Sequence, residues 1–405
     1  MRYNSIVFYV FLVSAFAKAQ QLQTFIKEAQ ANNLEIRAVE MRHNISQEKV
    51  NEADWIPNTE VSLGYFVSET ETRVGAQRAR IGVKQMLPWF GTITARENYA
   101  TSLADADYVE ITIAKRKLAL SVSQTYYQLY SIRAKQAALG KNIQLLNAYE
   151  QLALTSVTVG KASAVDVLRL QIRINELQQQ IDILEEDFKA SQSLFNNLLN
   201  KEDTETIEIT EVMSMPLVDI ELVDSAIDVN PEILKYDKLY ESVVQSEVLN
   251  KREGLPSIGV GFDYLPVSER ADLNIVDNGK DVFMPMVTVS IPIFNKRYKS
   301  ISKQNELRQQ EIEFEKQERL NVLNTAFARA RSQRNQARIA YETIDKNLKQ
   351  ARDAEEILIK NYETGTIDFK DVLDIQELKL KFQIEQVNAI ENYYVQSAVI
   401  NYLMN

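Results

Sequence analysis

The residues able to do chemistry are few and poorly arranged for catalysis. The 405 residues include one histidine, His43, and no cysteine, so thiolate metal sites, thiol nucleophiles and histidine-based triads cannot be assembled. No glycine-rich phosphate loop and no Gly-x-Ser-x-Gly elbow occurs. Met213/Met215 and Met284/Met286 have a soft-ligand spacing that suits monovalent copper, but two thioethers without a third ligand make a weak site. His43 falls in a helical stretch where no carboxylate arrangement requires it. Carboxylates are plentiful yet scattered along polar helix faces, apart from a few near short turns. Asp166 follows Ser163 in a capping-box-like spacing, with Asp in place of the usual Glu. Asp371, close behind Gly365, has the position at which an acid stabilises the dipole of a first helical turn, and Asp374, nearly one turn further in, is explained less well by it. Neither an enzyme, a cofactor nor a metal centre is expected.

The composition points to helices. With 45% hydrophobic and 25% charged residues the chain has ample material for a core, and its 11 Gly and 8 Pro leave room for long uninterrupted helices. A formal net charge of -10 argues against nucleic acid as a partner. At the N-terminus Arg2, the apolar run Ile6 to Phe16 and the small-x-small triplet Ala17-Lys18-Ala19 predict a secretory signal peptide over 1–19. The run is about 11 residues, against the roughly 20 a spanning helix needs. No long apolar stretch follows, so a membrane crossing would require β-strands closed into a barrel.

Those elements come in two copies, 20–200 and 230–405, joined by a linker or equatorial segment over 201–229 that has little pattern. Each copy opens with a helix, from Asn33 or Asn230, which stops at Pro57 or Pro256. Two period-two stretches follow, predicting strands near 59–67 and 78–86 in one copy and near 257–265 and 284–291 in the other. Each is about 9 residues, the length of a tilted transmembrane strand. After the corners Leu87-Pro88-Trp89-Phe90-Gly91 and Ile291-Pro292-Ile293-Phe294-Asn295, helical hairpins are predicted over 92–200 and 296–404. Their outgoing helices of roughly 65 residues would reach about 98 Å. The first return helix carries a heptad seam from Val167, Leu170, Ile174 and Leu177 to Phe195 and Leu198 with one gap at Ser191, and Leu129, Ile132, Leu139, Ile143 and Leu146 supply the matching seam of an antiparallel coiled coil. Four strands cannot close a barrel, so several chains must pool theirs, and the polar helix faces would line a wet interior.

This tandem plan, with its Pro-x-Phe corners and hairpins closing at Gly160 and Gly365, resembles the TolC family of outer-membrane efflux channels over nearly the whole mature chain. The closest local match is Gly365-Thr366 through Asp371-Val372-Leu373-Asp374, echoed by Gly160 through Asp166-Val167-Leu168. The resemblance implies a mainly α fold with a small transmembrane β part. Long antiparallel coiled-coil hairpins would form an α-barrel, and four strands per chain would complete a 12-stranded β-barrel in a homotrimer. It implies an exit duct of a tripartite efflux or type I secretion system in the outer membrane of a Gram-negative bacterium, with a large periplasmic portion. Its partners would be outer-membrane lipid, a periplasmic adaptor (membrane fusion) protein docking at the Gly160 and Gly365 turns, and an inner-membrane pump of RND, ABC or MFS type. It places Asp371 and Asp374, with Asp166 as a weaker counterpart, at a constricted pore end, and Tyr362 in a network that ties the tip closed. A departure follows: the basic residue that relatives carry two after the glycine is Ile367 here. The rival is a periplasmic coiled-coil adaptor or structural scaffold, but adaptors set one hairpin in a β-rich body, whereas here two hairpins alternate with strand pairs.

Overall fold

Where the polar-apolar period is two the chain forms strands, and where it is near 3.6 it forms helices of unusual length. The computed structural model describes residues 21–158, 163–209, 213–219, 227, 229–272, 274–364 and 366–404. The signal peptide over 1–19 and the turn glycines Gly160 and Gly365 lie outside the described residues. In chain order the elements are α1 (residues 21–32), α2 (Leu34–Glu52), β1 (Glu60–Thr72), β2 (Gly75–Leu87), α3 (Thr92–Thr158), α4 (Ala164–Leu199), α5 (Pro231–Glu253), β3 (Ser257–Leu265), β4 (Val267–Ser268), β5 (Val282–Ser290), α6 (Arg297–Glu363) and α7 (Phe369–Met404). The two outgoing helices have 67 residues each, and the two return helices 36 each. No helix among the described residues is long and apolar enough to cross a membrane.

The chain divides into two compact units that cut across the two copies. One comprises Met1–Ala38, Thr112–Asn230 and Leu320–Asn405, the other Val39–Ile111 and Pro231–Arg319. Each long helix gives its beginning to the second unit and its remainder to the first.

In the first unit the heptad seams bury as a continuous core. Leu118, Val122, Leu129 and Ile132 of α3 pack with Phe188 and Phe195 of α4 and with Ala29 and Ile36. Further along, Leu139 and Leu146 of α3, Val167, Leu170 and Leu177 of α4, and Phe369, Val372 and Leu380 of α7 form one cluster, so both hairpins share a core. Ser191, where the seam lapses, is buried. The rings of Phe188 and Phe195 stand on either side in sequence, and Phe25 meets Phe195 edge-on at 5.2 Å. The low-pattern segment between the copies is strapped down by polar groups. Tyr130 Oη donates to Met213 O (3.3 Å), Tyr394 Oη to Ser214 O (2.8 Å) and Arg338 Nη1 to Pro216 O (2.8 Å). Met213 and Met215 pack into a cluster with Tyr130, Ile390 and Tyr393, as core side chains.

The second unit holds the sheet, ordered β1-β2-β3-β5, every pair antiparallel, with the short β4 beside β2. Its register sorts side chains by polarity. Val61, Val83, Phe262 and Pro285 form one cross-strand row, and Leu63, Ile81, Tyr264 and Phe283 the next. Because faces alternate along a strand, the intervening rows, Ser62-Gly82-Asp263-Met284 and Glu60-Lys84-Gly261-Met286, lie on the opposite face. There Arg80 is ion-paired to the buried Asp263, and Lys84 to Glu60 at 3.6 Å. A side chain at Gly82 would overlap Asp263 Oδ1 and Ser62 Oγ, which accounts for glycine in mid-strand. Most of the apolar face is exposed, with Val61, Leu63, Tyr65, Val260, Phe283, Val287 and Val289 in the open and Ile258 and Tyr264 half-buried, and Val67, in the register break of β1, is 93% exposed. Helices in this unit are tied by polar contacts. His43 Nδ1 lies 3.2 Å from Ala104 O, and Asn250 Nδ2 donates to Tyr298 O at 2.9 Å.

Candidate functional site

The candidate site is the region of the first unit where the hairpins turn. Ser163 caps α4 with extended backbone (φ -86°, ψ 139°), its Oγ accepting from Val165 N at 3.2 Å. That cap sets Asp166 in the first turn, where its carboxylate pairs with Arg169 at 3.5 Å. At the other turn α6 is closed at its C-terminus by Thr366, whose N–H (3.0 Å) and hydroxyl (2.8 Å) both donate to Asn361 O, filling a carbonyl the helix leaves open.

The four sequence-predicted side chains have different surroundings. Asp371 and Asp374 are exposed on α7. Asp371 has no ion-pair partner among the described residues, and Asp374 lies 3.7 Å from Lys370 with both side chains more than half exposed. Asp374 lines a cleft of about 430 Å³ with Arg169, Arg173 and Glu377, so Asp374 and the partner of Asp166 share one concavity. Tyr362 turns inward: its ring is tilted against that of Phe369 with centroids 5.0 Å apart, it packs on the shared core, and its hydroxyl is buried without a hydrogen bond among the described residues. Ile367 packs on that core too, as an apolar contact.

The polar ties between the hairpins lie deeper and were not singled out in the sequence. Arg173 of α4 reaches Glu377 of α7 at 3.4 Å as well as Glu176 at 2.8 Å. Gln376 Nε2, in a side chain only 2% exposed, donates to Tyr149 Oη (3.2 Å), which lies 3.4 Å from Glu355 Oε1, and Glu355 is ion-paired to Lys379. Burial pushes the Tyr149 phenol up from its ordinary range, a rise that the hydrogen bond from Gln376 offsets in part and the Glu355 charge adds to. Gln376 left a sequence signal: it stands at an i+4 step between Val372 and Leu380, a polar residue inside an apolar stripe. Nothing in this arrangement is a nucleophile with its base. It is a set of charge-bearing latches between two helical hairpins, beside a pair of exposed carboxylates.

Residues 25–199 match the model of the outer membrane efflux protein family. No curated protein matches the sequence. Among solved structures the chain is similar to CusC (TM-score 0.77, 14% identity, covering 95% of this chain and 92% of that one). It is also similar to VceC of Vibrio cholerae (TM-score 0.74, 16% identity, 95% and 96%). A third similar structure is the open state of the Neisseria gonorrhoeae MtrE outer membrane channel (TM-score 0.72, 15% identity, 95% and 88%). The fold is therefore the one these channels share, mainly α-helical with a small antiparallel sheet.

Proposed function

We propose that this chain, whose residues 25–199 match the outer membrane efflux protein family, is one subunit of an exit duct that passively carries cargo from an adaptor-pump complex across the periplasm and outer membrane. The observation that carries this reading is the sheet: one continuous apolar face left exposed, a polar face behind it, and two unpaired edges, β1 and β5. A monomer in water does not keep such a surface, whereas hydrocarbon covers the face and further strands satisfy the edges. Successive antiparallel pairing makes β1 and β5 run in opposite directions. The β5 edge of one copy therefore meets the β1 edge of the next as another antiparallel pair, and three copies of the four long strands make the twelve of a homotrimeric barrel.

In such a trimer Asp371 and Asp374 would place six carboxylates about one axis, attracting cations and opposing anions. The Ser163 cap and Arg169 pair support a mainly structural task for Asp166, and Tyr362 would join a closing network only by swinging out of its core. The turns at Gly160 and Gly365 would meet the periplasmic adaptor, with an RND, ABC or MFS pump beyond it. Fractionation tests the whole reading. A detergent-extracted oligomer in the outer-membrane fraction, with gel mobility that changes on heating, is expected. A soluble periplasmic monomer would overturn the duct in favour of an adaptor or scaffold.

A further inference from the structure

The two corners that lead from sheet to long helix differ in charge. In the first copy α3 opens with Thr92, Ile93, Thr94 and Ala95, and the first cation, Arg96, is engaged: its guanidinium lies 4.2 Å over the Trp55 ring and pairs with Glu253 at 3.4 Å. In the second copy the corner runs from apolar to aromatic to basic within nine residues. Ile291 and Ile293 are exposed, Phe294 is 97% exposed, and Lys296, Arg297 and Lys299 follow, all exposed and without an ion pair among the described residues.

Helix stability does not call for these cations, because α6 has no acid in its first turn and positive charge there opposes the helix dipole. At the far end of the sheet most basic residues are matched by acids, Arg270 by Glu71 and Asp272, Lys280 by Asp277, and Arg78 by Glu69, while Arg73 in the β1–β2 turn is exposed and without an ion pair among the described residues. Unmatched charge is thus densest at the corner end, where Lys296, Arg297 and Lys299 stand within four residues, next to Leu87, Ile258 and Val289, the last row of the apolar face.

We propose that the α6 corner is a binding surface for the phosphate headgroups of anionic phospholipid. The apolar row and Phe294 would enter the edge of the hydrocarbon, while Lys296, Arg297 and Lys299 meet the headgroup layer. The proposal rests on the membrane placement of the sheet given above. Aromatic residues settle at the hydrocarbon boundary, and basic residues just outside it are drawn to anionic headgroups. The first corner, with its aromatic pair Trp89 and Phe90 and a single cation without an ion pair among the described residues, Arg252 beside Gly91, would anchor to the interface and select a headgroup more weakly.

The test uses the full chain, purified in detergent and exchanged into nanodiscs of phosphatidylethanolamine mixed with phosphatidylglycerol of the same acyl chains. Lipid retained by the released protein is then counted by native mass spectrometry. Wild type should retain phosphatidylglycerol preferentially. K296Q/R297Q/K299Q should lose roughly fivefold of that preference per charge, and K346Q/K349Q, which removes exposed cations from the first unit, should keep it. Equal retention of the two lipids by wild type, or an unchanged preference in the triple variant, overturns the headgroup site while leaving the duct intact. A wild-type chain found in no membrane fraction overturns both.

Discussion

Lys379 and Glu355 form an ion pair with both side chains about 13% exposed, and at that depth the partner left behind matters more than the bond removed. Lys379→Met should destabilise the protein by about 3 kcal/mol, because Glu355 keeps a charge with little water to solvate it. Adding Glu355→Met should recover most of the loss, and melting of the detergent-solubilised protein would show whether the double variant returns towards wild type. Asp219 makes the complementary case for pH. Burial pushes its carboxyl up, but hydrogen bonds from Arg338 Nε (3.2 Å) and Nη2 (2.5 Å) and from the Tyr393 hydroxyl, with the Arg338 charge, bring it below the ordinary aspartate range. The unfolded chain then takes up the proton first on acidification. The contribution is complete above the unfolded value near 4 and is lost as pH falls through the lower folded value. Asp219→Asn should remove that part of the acid sensitivity, seen as a flatter melting temperature below about pH 4.

The helices were the most legible elements and the ties between them the least. A seam such as Leu170, Ile174 and Leu177 announces itself because local spacing alone sets which face is buried, and Leu170 and Leu177 are indeed fully covered. Leu177→Ala should therefore cost about 2–5 kcal/mol, whereas Ile183→Ala on the same helix, at a 54% exposed position, should stay within about 0.5 kcal/mol in the same melting assay. The strands showed at period two for the same reason, but β1 and β2 have 13 residues each against the 9 expected, because their polar far ends carry no apolar alternation. The burial of Ser191 was not legible, since a serine in a heptad position reads as a gap in the seam and its cover comes from tertiary packing. Nor was the latch of Tyr149, Glu355, Gln376 and Lys379, whose members are separated by as many as 227 residues and meet only once both hairpins share a core. At the candidate site the sequence picked out Asp371 and Asp374, which the structure leaves exposed, but gave no sign that Tyr362 faces inward.

At the scale of the whole molecule the argument is about faces. If trimer tips gather Asp371 and Asp374 around the conduction axis, replacing both with Ala should abolish block of single-channel current by multivalent cations in planar bilayers, and persisting block would place them elsewhere. The sheet carries a sharper contrast, because β5 puts adjacent residues on opposite faces. Val287 is in register with Val260 on the apolar side, and Thr288 with Gly259 on the polar side. Lysine at 287 would carry its ammonium into hydrocarbon at about 2–4 kcal/mol per copy near the bilayer midplane, multiplied by symmetry in each barrel, while lysine at 288 would enter a face that already accommodates Arg80 and Lys84. Val287→Lys should thus remove the heat-modifiable oligomer from the outer-membrane fraction, and Thr288→Lys should leave it in place. The reverse result would turn the sheet inside out, and equal tolerance of both changes would mean that neither face meets lipid.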